Sequence, residues 1–229
     1  MIKQNILVVA AHPDDEVLGC GGTIARLAEE GHNVYITILG EGITSRFKGP
    51  EKVDNEMIKM LHKQSHQVAD ILGAKDIFLY SQPDNCFDVV PLLEIINIVE
   101  NLIVKLKPKI IYTHYAGDLN IDHKITHRAV VTATRPTENC PVKEIYTFEI
   151  PSSTEWAFGQ FQEIFNPNMF VNINETLDIK IKAMEKYKSE ICDFPHPRSF
   201  QALKALAQYR GSVVGLKYAE AFETIRKIV

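Results

Sequence analysis

The sequence has 229 residues, of which 45% are hydrophobic and 24% charged, and a net charge of −4. That size and balance suit one soluble unit with a large core, and they exclude a chain that needs disulfides or structural metals to fold. The acidic balance, with no basic stripe, argues against a nucleic-acid partner, and no stretch of about 18 uncharged apolar residues offers an integral membrane segment.

Cys20, Cys86, Cys140 and Cys192 are widely separated and form no CxxC. They read as reduced thiols of a cytoplasmic protein. The start of the chain, which has no signal-peptide shape, agrees with that expected location.

Residues 6–11 are a short run rich in Ile and Val, read as a buried strand. From Glu16 the apolar period becomes helical, and Gly31 ends that helix. Strand 34–39, helix 53–72, strand 77–80, helix 89–106, strand 109–114, helix 123–134 and strand 144–150 follow. Such alternation predicts an α/β, Rossmann-like, three-layer fold with a mainly parallel sheet. Residues 1–150 form the expected α/β core that carries the metal site, and 151–229 an α-rich C-terminal extension packed on the same domain. Helices are expected there at 176–190, 199–209 and 217–227. Parallel sheets bind ligands at the carboxyl ends of their strands, where this sequence gathers its polar residues.

The strongest of these polar groups is His12-Pro13-Asp14-Asp15-Glu16, between the first strand and the first helix. Carboxylates held so close raise one another's pKa, and a cation relieves that cost. Imidazole with carboxylate suits Zn²⁺. The alternative is that Asp14 or Asp15 merely caps the helix. A second group, Asp118-Leu119-Asn120-Ile121-Asp122-His123, follows the fourth strand. His123 can supply a third ligand there, which leaves one coordination position open for water, as in a catalytic site. Helix capping is the alternative again.

These two stretches resemble the PIG-L/LmbE-like family of zinc N-deacetylases. Gly40-Glu41-Gly42, Pro195-His196-Pro197-Arg198-Ser199, Arg210-Gly211-Ser212 and Ala219-Glu220-Ala221-Phe222 look like one branch of it. The resemblance implies one zinc ion per chain on His12, Asp15 and His123, with Asp14 as general base. It implies removal of an N-acetyl group, by zinc-activated water, from an amino sugar or a related small polar conjugate, and a homo-oligomer. Many relatives carry a histidine where this chain has Asn120, which leaves the general acid open. His196 and His114 are the candidates, and Asp122 is expected to orient a neighbouring side chain.

Arg46 resembles a substrate-contacting arginine of the family. Asp84 and Asn85 can bond sugar hydroxyls or simply form a turn. Arg198 and Arg210 can bind a phosphate or nucleotide portion of a substrate, but read more simply as packing or capping residues. Gly19-Cys20-Gly21-Gly22 fails the dinucleotide pattern, since position 24 is Ile, and suits close helix packing instead. Two other functions compete with deacetylation: a metal-dependent phosphoesterase, and a metal- or ligand-binding module without catalysis.

Overall fold

The first apolar run becomes β1 (Asn5–Ala10), buried along its whole length after Asn5. The computed structural model describes residues 3–42, 55–160 and 164–229. β1 pairs in parallel with β2 (Asn33–Gly40) on one side and with β4 (Ile110–His114) on the other. β3 (Asp76–Gln82) joins β2, and β5 (Glu144–Phe148) joins β4, both in parallel. The sheet is completed by two antiparallel pairings, of β7 (Ala219–Lys227) with β5 and of β6 (Met169–Asn172) with β7.

The strand order is β3-β2-β1-β4-β5-β7-β6. The chain runs outward from β1 to β3 and then returns to the other side of β1 with β4. The order therefore reverses between β1 and β4, and a ligand crevice belongs at their carboxyl ends.

Alternation along β1 feeds two cores. Ile6, Val8 and Ala10 pack with α1 (Asp15–Glu29), α2 (Asn55–Ile71), α5 (Leu177–Met184) and α6 (Phe200–Ser212). Leu7 and Val9 pack on the other face with α3 (Leu92–Leu106) and α4 (Ile121–Ala133). The expected three layers are therefore present. Among the described residues, no helix is long and apolar enough to cross a membrane.

The sequence reading misplaces one element. Residues 219–227, inside the stretch 217–227 expected as a helix, form β7. Ala and Glu favour helices in isolation, but this segment satisfies its backbone on both sides, against β5 and β6, and tertiary pairing overrides propensity. β6, absent from the expected elements, directly follows Asn166-Pro167-Asn168, residue types that favour a loop.

Glu220 on β7 also explains the small residues of α1. That helix kinks at Cys20 (φ −150°, ψ 24°), which frees backbone donors in mid-helix. Glu220 accepts from Gly22 N at 2.9 Å, Thr23 N at 2.7 Å, Thr23 Oγ1 at 2.6 Å and Lys180 Nζ at 2.6 Å. The helix lies so near the sheet that a Cβ on Gly19 would sit 2.3 Å from the Phe148 ring. Removing one partner of a buried, bonded charge pair strands the other. Glu220→Ala is therefore expected to lower the unfolding free energy by about 3–5 kcal/mol, measured by urea titration. A loss below about 1 kcal/mol would show that this carboxylate does not hold the kink.

Candidate metal centre

The turn after β1 is fixed by its own side chains. His12 N donates to Asp15 Oδ2 at 2.8 Å, and Asp14 N to Glu16 Oε2 at 3.1 Å. Asp14 takes φ 106°, in the left-handed region. Such a conformation costs a non-glycine residue about 1–3 kcal/mol and persists only where the surroundings enforce it. The Asp14 carbonyl accepts from Val17 N and Leu18 N, which starts α1. Asp14 makes no side-chain cap, so its carboxylate is turned away from the helix.

The structure brings His12, Asp15 and His123 together with one donor atom from each lying within 4.8 Å of the others. Asp15 Oδ2 is 3.5 Å from His12 Nδ1 and 3.3 Å from His123 Nε2. The remaining ring nitrogens face carboxylates. His12 Nε2 lies 2.9 Å from Asp122 Oδ2 and 3.3 Å from Asp84 Oδ1. His123 Nδ1 lies 3.0 Å from Asp118 Oδ1. A carboxylate behind each imidazole fixes the ring and strengthens it as a ligand. Two imidazoles and one carboxylate, backed this way and open on one side, fit a divalent ion.

His12, Asp84 and Asp122 form a second such group. It fits less well, because Asp122 already accepts from Asn85 N at 2.6 Å and Phe87 N at 2.9 Å.

The charges fit a bound cation. Burial pulls His12 down, but Asp122, Asp15 and Asp84 outweigh it and push it up to about 10. Burial likewise lowers His123, and Asp15 and Asp118 raise it to about 9. Burial raises Asp15, yet His123 and His12 hold it well below the usual carboxylate range. Asp14 behaves in the opposite way: burial pushes it well above the usual range, against the pull of Arg198.

The centre opens into a cleft of about 480 Å³, lined in part by His12, Asp14, Asp84, Asn120, His123 and Arg198. Asn120 caps α4, accepting from Asp122 N at 2.8 Å, and donates from Nδ2 to Asn85 Oδ1 at 2.9 Å. The cap of α4 is thus Asn120 rather than Asp122 or His123, and Asp122 turns inward to His12.

His114 is fully buried behind the centre. Its ring stacks on His123 at 4.0 Å, and its Nε2 accepts from Ala11 N at 2.8 Å. Burial holds it well below the usual histidine range, which leaves it neutral. His196 is not among the residues that line the cleft. Its Nδ1 accepts from Arg198 N at 3.1 Å. Arg46 falls outside the described residues.

Sequence reasoning missed the supporting shell. Arg198, read as packing, donates from Nη1 to Asp14 Oδ2 at 2.7 Å and from Nε to Ser152 Oγ at 2.8 Å. Ser152-Ser153-Thr154, whose residue types suit a loop, anchors the site: Ser153 Oγ and Thr154 Oγ1 both donate to Asp118, the latter at 2.6 Å. Together with His123, these hydroxyls hold Asp118 at about 2, although burial alone would raise it. Asp118 was visible in the sequence, but its hydroxyl partners lie a strand away.

The PIG-L family profile, described as GlcNAc-PI de-N-acetylase, matches residues 7–134, more than half of the chain. The chain belongs to the PIG-L family. A probable N-acetyl-alpha-D-glucosaminyl L-malate deacetylase 2 of Bacillus cereus is 29% identical, across 82% of this chain and 84% of that protein. A diacetylchitobiose deacetylase of Thermococcus kodakarensis is 26% identical, across 97% of this chain and 83% of that one. The crystal structure of a conserved protein from Thermus thermophilus superposes with a TM-score of 0.75 at 26% identity, covering 99% of this chain and 96% of that one. The PIG-L match spans β1 to α4, so it includes the three candidate donors, the two carboxylates behind them and Asp14. Arg198 and Ser152 to Thr154 lie beyond it.

Proposed function

We propose that the chain is a hydrolase that removes an N-acetyl group from an amino sugar or a related small polar conjugate, using one zinc ion on His12, Asp15 and His123. The observation that carries this reading is the convergence of those three donors, of which His12 and His123 line a polar cleft together with Asp14. The Bacillus and Thermococcus relatives are named for deacetylation of N-acetylated hexosamine compounds, which supports the same bond as the target.

His12, Asp15 and His123 would hold the zinc ion, which would supply Lewis-acid polarisation of an acyl carbonyl and a lowered pKa for water. Asp14 takes the proton from the attacking water and delivers it to the departing amine. Arg198 holds Oδ2 of Asp14 in place, and Asp122 and Asp118 orient the two imidazoles. Asp84, Asn120 and Arg46 address the substrate's polar groups. His196 acts as support: its Nδ1 is occupied by the Arg198 amide. Residues 1–150 carry the metal donors and 151–229 supply Arg198, so both segments work as one unit.

The test is acetate release from a panel of N-acetylated sugars by zinc-loaded and chelator-treated protein. Release that chelation abolishes and zinc restores is expected. Equal release after complete metal removal would remove the metal from the mechanism.

A further inference from the structure

Trp156 is the sole tryptophan of the sequence, and the mechanism above leaves it unused. It sits in a single 3-10 turn, Glu155–Ala157, and lines the same cleft as His12, Asp14 and His123. The residue is 40% exposed. A large indole left open beside a polar site is a surface available to a ligand.

Its support is rigid. Thr154 Oγ1 accepts from Ile150 N at 2.8 Å and donates to Asp118. Ser152 N donates to Glu155 Oε1 at 2.6 Å. The His196 ring meets the indole at 84°, with centroids 5.6 Å apart. Asp118 thus ties both His123 and the Trp156 turn to one carboxylate, which fixes the indole relative to the metal donors.

We propose that Trp156 is the platform for the apolar face of a pyranose ring, so that the site selects N-acetylated hexosamines over acyclic N-acetyl amines. The inference rests on the deacetylase reading for the bond that is cleaved, and adds the ring that carries it. Pyranose C–H groups bear slight positive charge and suit the negative face of an indole. The hydroxyl edges of the same sugar need donors and acceptors, which Asp84 and Asn120 offer in the cleft. An acyclic amide could use the metal centre but would leave the indole wet. His196 then has a clear purpose, bracing Trp156 and Arg198 together.

A lone tryptophan makes the test direct. Intrinsic fluorescence of the wild-type protein is titrated with N-acetyl-D-glucosamine, N,N'-diacetylchitobiose and, as the acyclic control, N-acetylethanolamine. A saturable emission change with the sugars and none with the control is expected. In steady-state assays, Trp156→Ala is expected to raise KM for the sugar roughly tenfold with kcat nearly unchanged. Trp156→Phe, which keeps an aromatic face, should recover most of that loss. Emission unmoved by either sugar, or a KM unchanged in Trp156→Ala, overturns the proposal. Should wild-type protein release no acetate from any compound, the deacetylase reading fails, and the fluorescence titration still decides whether a sugar ring sits on Trp156.

Discussion

Replacing Asp14 by asparagine is expected to lower kcat by about 10²–10⁴-fold while zinc stays bound. Asparagine tolerates a left-handed backbone, so the turn at φ 106° survives the change. Its side-chain oxygen can still accept from Arg198, which keeps the cleft wall intact. What disappears is a group able to take and return a proton. His196→Gln is the matched control, because it touches Arg198 and Trp156 but no proposed reacting atom; its kcat should fall far less. Turnover and metal content per chain are measured together on both variants. Wild-type turnover in Asp14→Asn would remove Asp14 as the base. A His196→Gln loss as large as that of Asp14→Asn would restore His196 as the acid.

The second large effect is on the metal. His123→Ala is expected to weaken zinc binding by more than about 100-fold, beyond the loss that follows removal of a single supporting carboxylate. Of the three proposed donors His123 alone lies on α4, and His12 and Asp15 both come from one turn. Two donors from one loop cannot enclose an ion against water. Competition against a fluorescent zinc chelator reads the affinity, and far-UV circular dichroism checks that α4 is retained. Full zinc occupancy in a folded His123→Ala protein would mean the ligand set is wrong.

Sequence and structure agree where a physical constraint is local. The β1 run, the carboxylate-rich turn and His123 were legible because each combines strand-end position with ligand chemistry. The switch in strand order between β1 and β4 then brings them together. The rest of the centre depends on long-range contacts. Arg198 reaches Asp14 across 184 positions, and no spacing rule encodes such a pair. Ser153 and Thr154 looked like loop residues because their role is to bond a carboxylate that another strand delivers. Glu220 looked helical, yet it serves as the missing hydrogen-bond partner of a kinked helix that begins at Asp15. Asn120 was judged by the histidine it replaces, whereas its observed work is to cap α4 and hold Asn85.

Anomalous diffraction at the zinc edge, from crystals of the zinc-loaded protein, tests the donor set most directly. One strong peak per chain is expected, about 2.0–2.2 Å from His12 Nδ1, an Asp15 oxygen and His123 Nε2. A peak held instead by Asp84 and Asp122, or no peak near residues 12 and 123, would contradict a centre built from those three side chains.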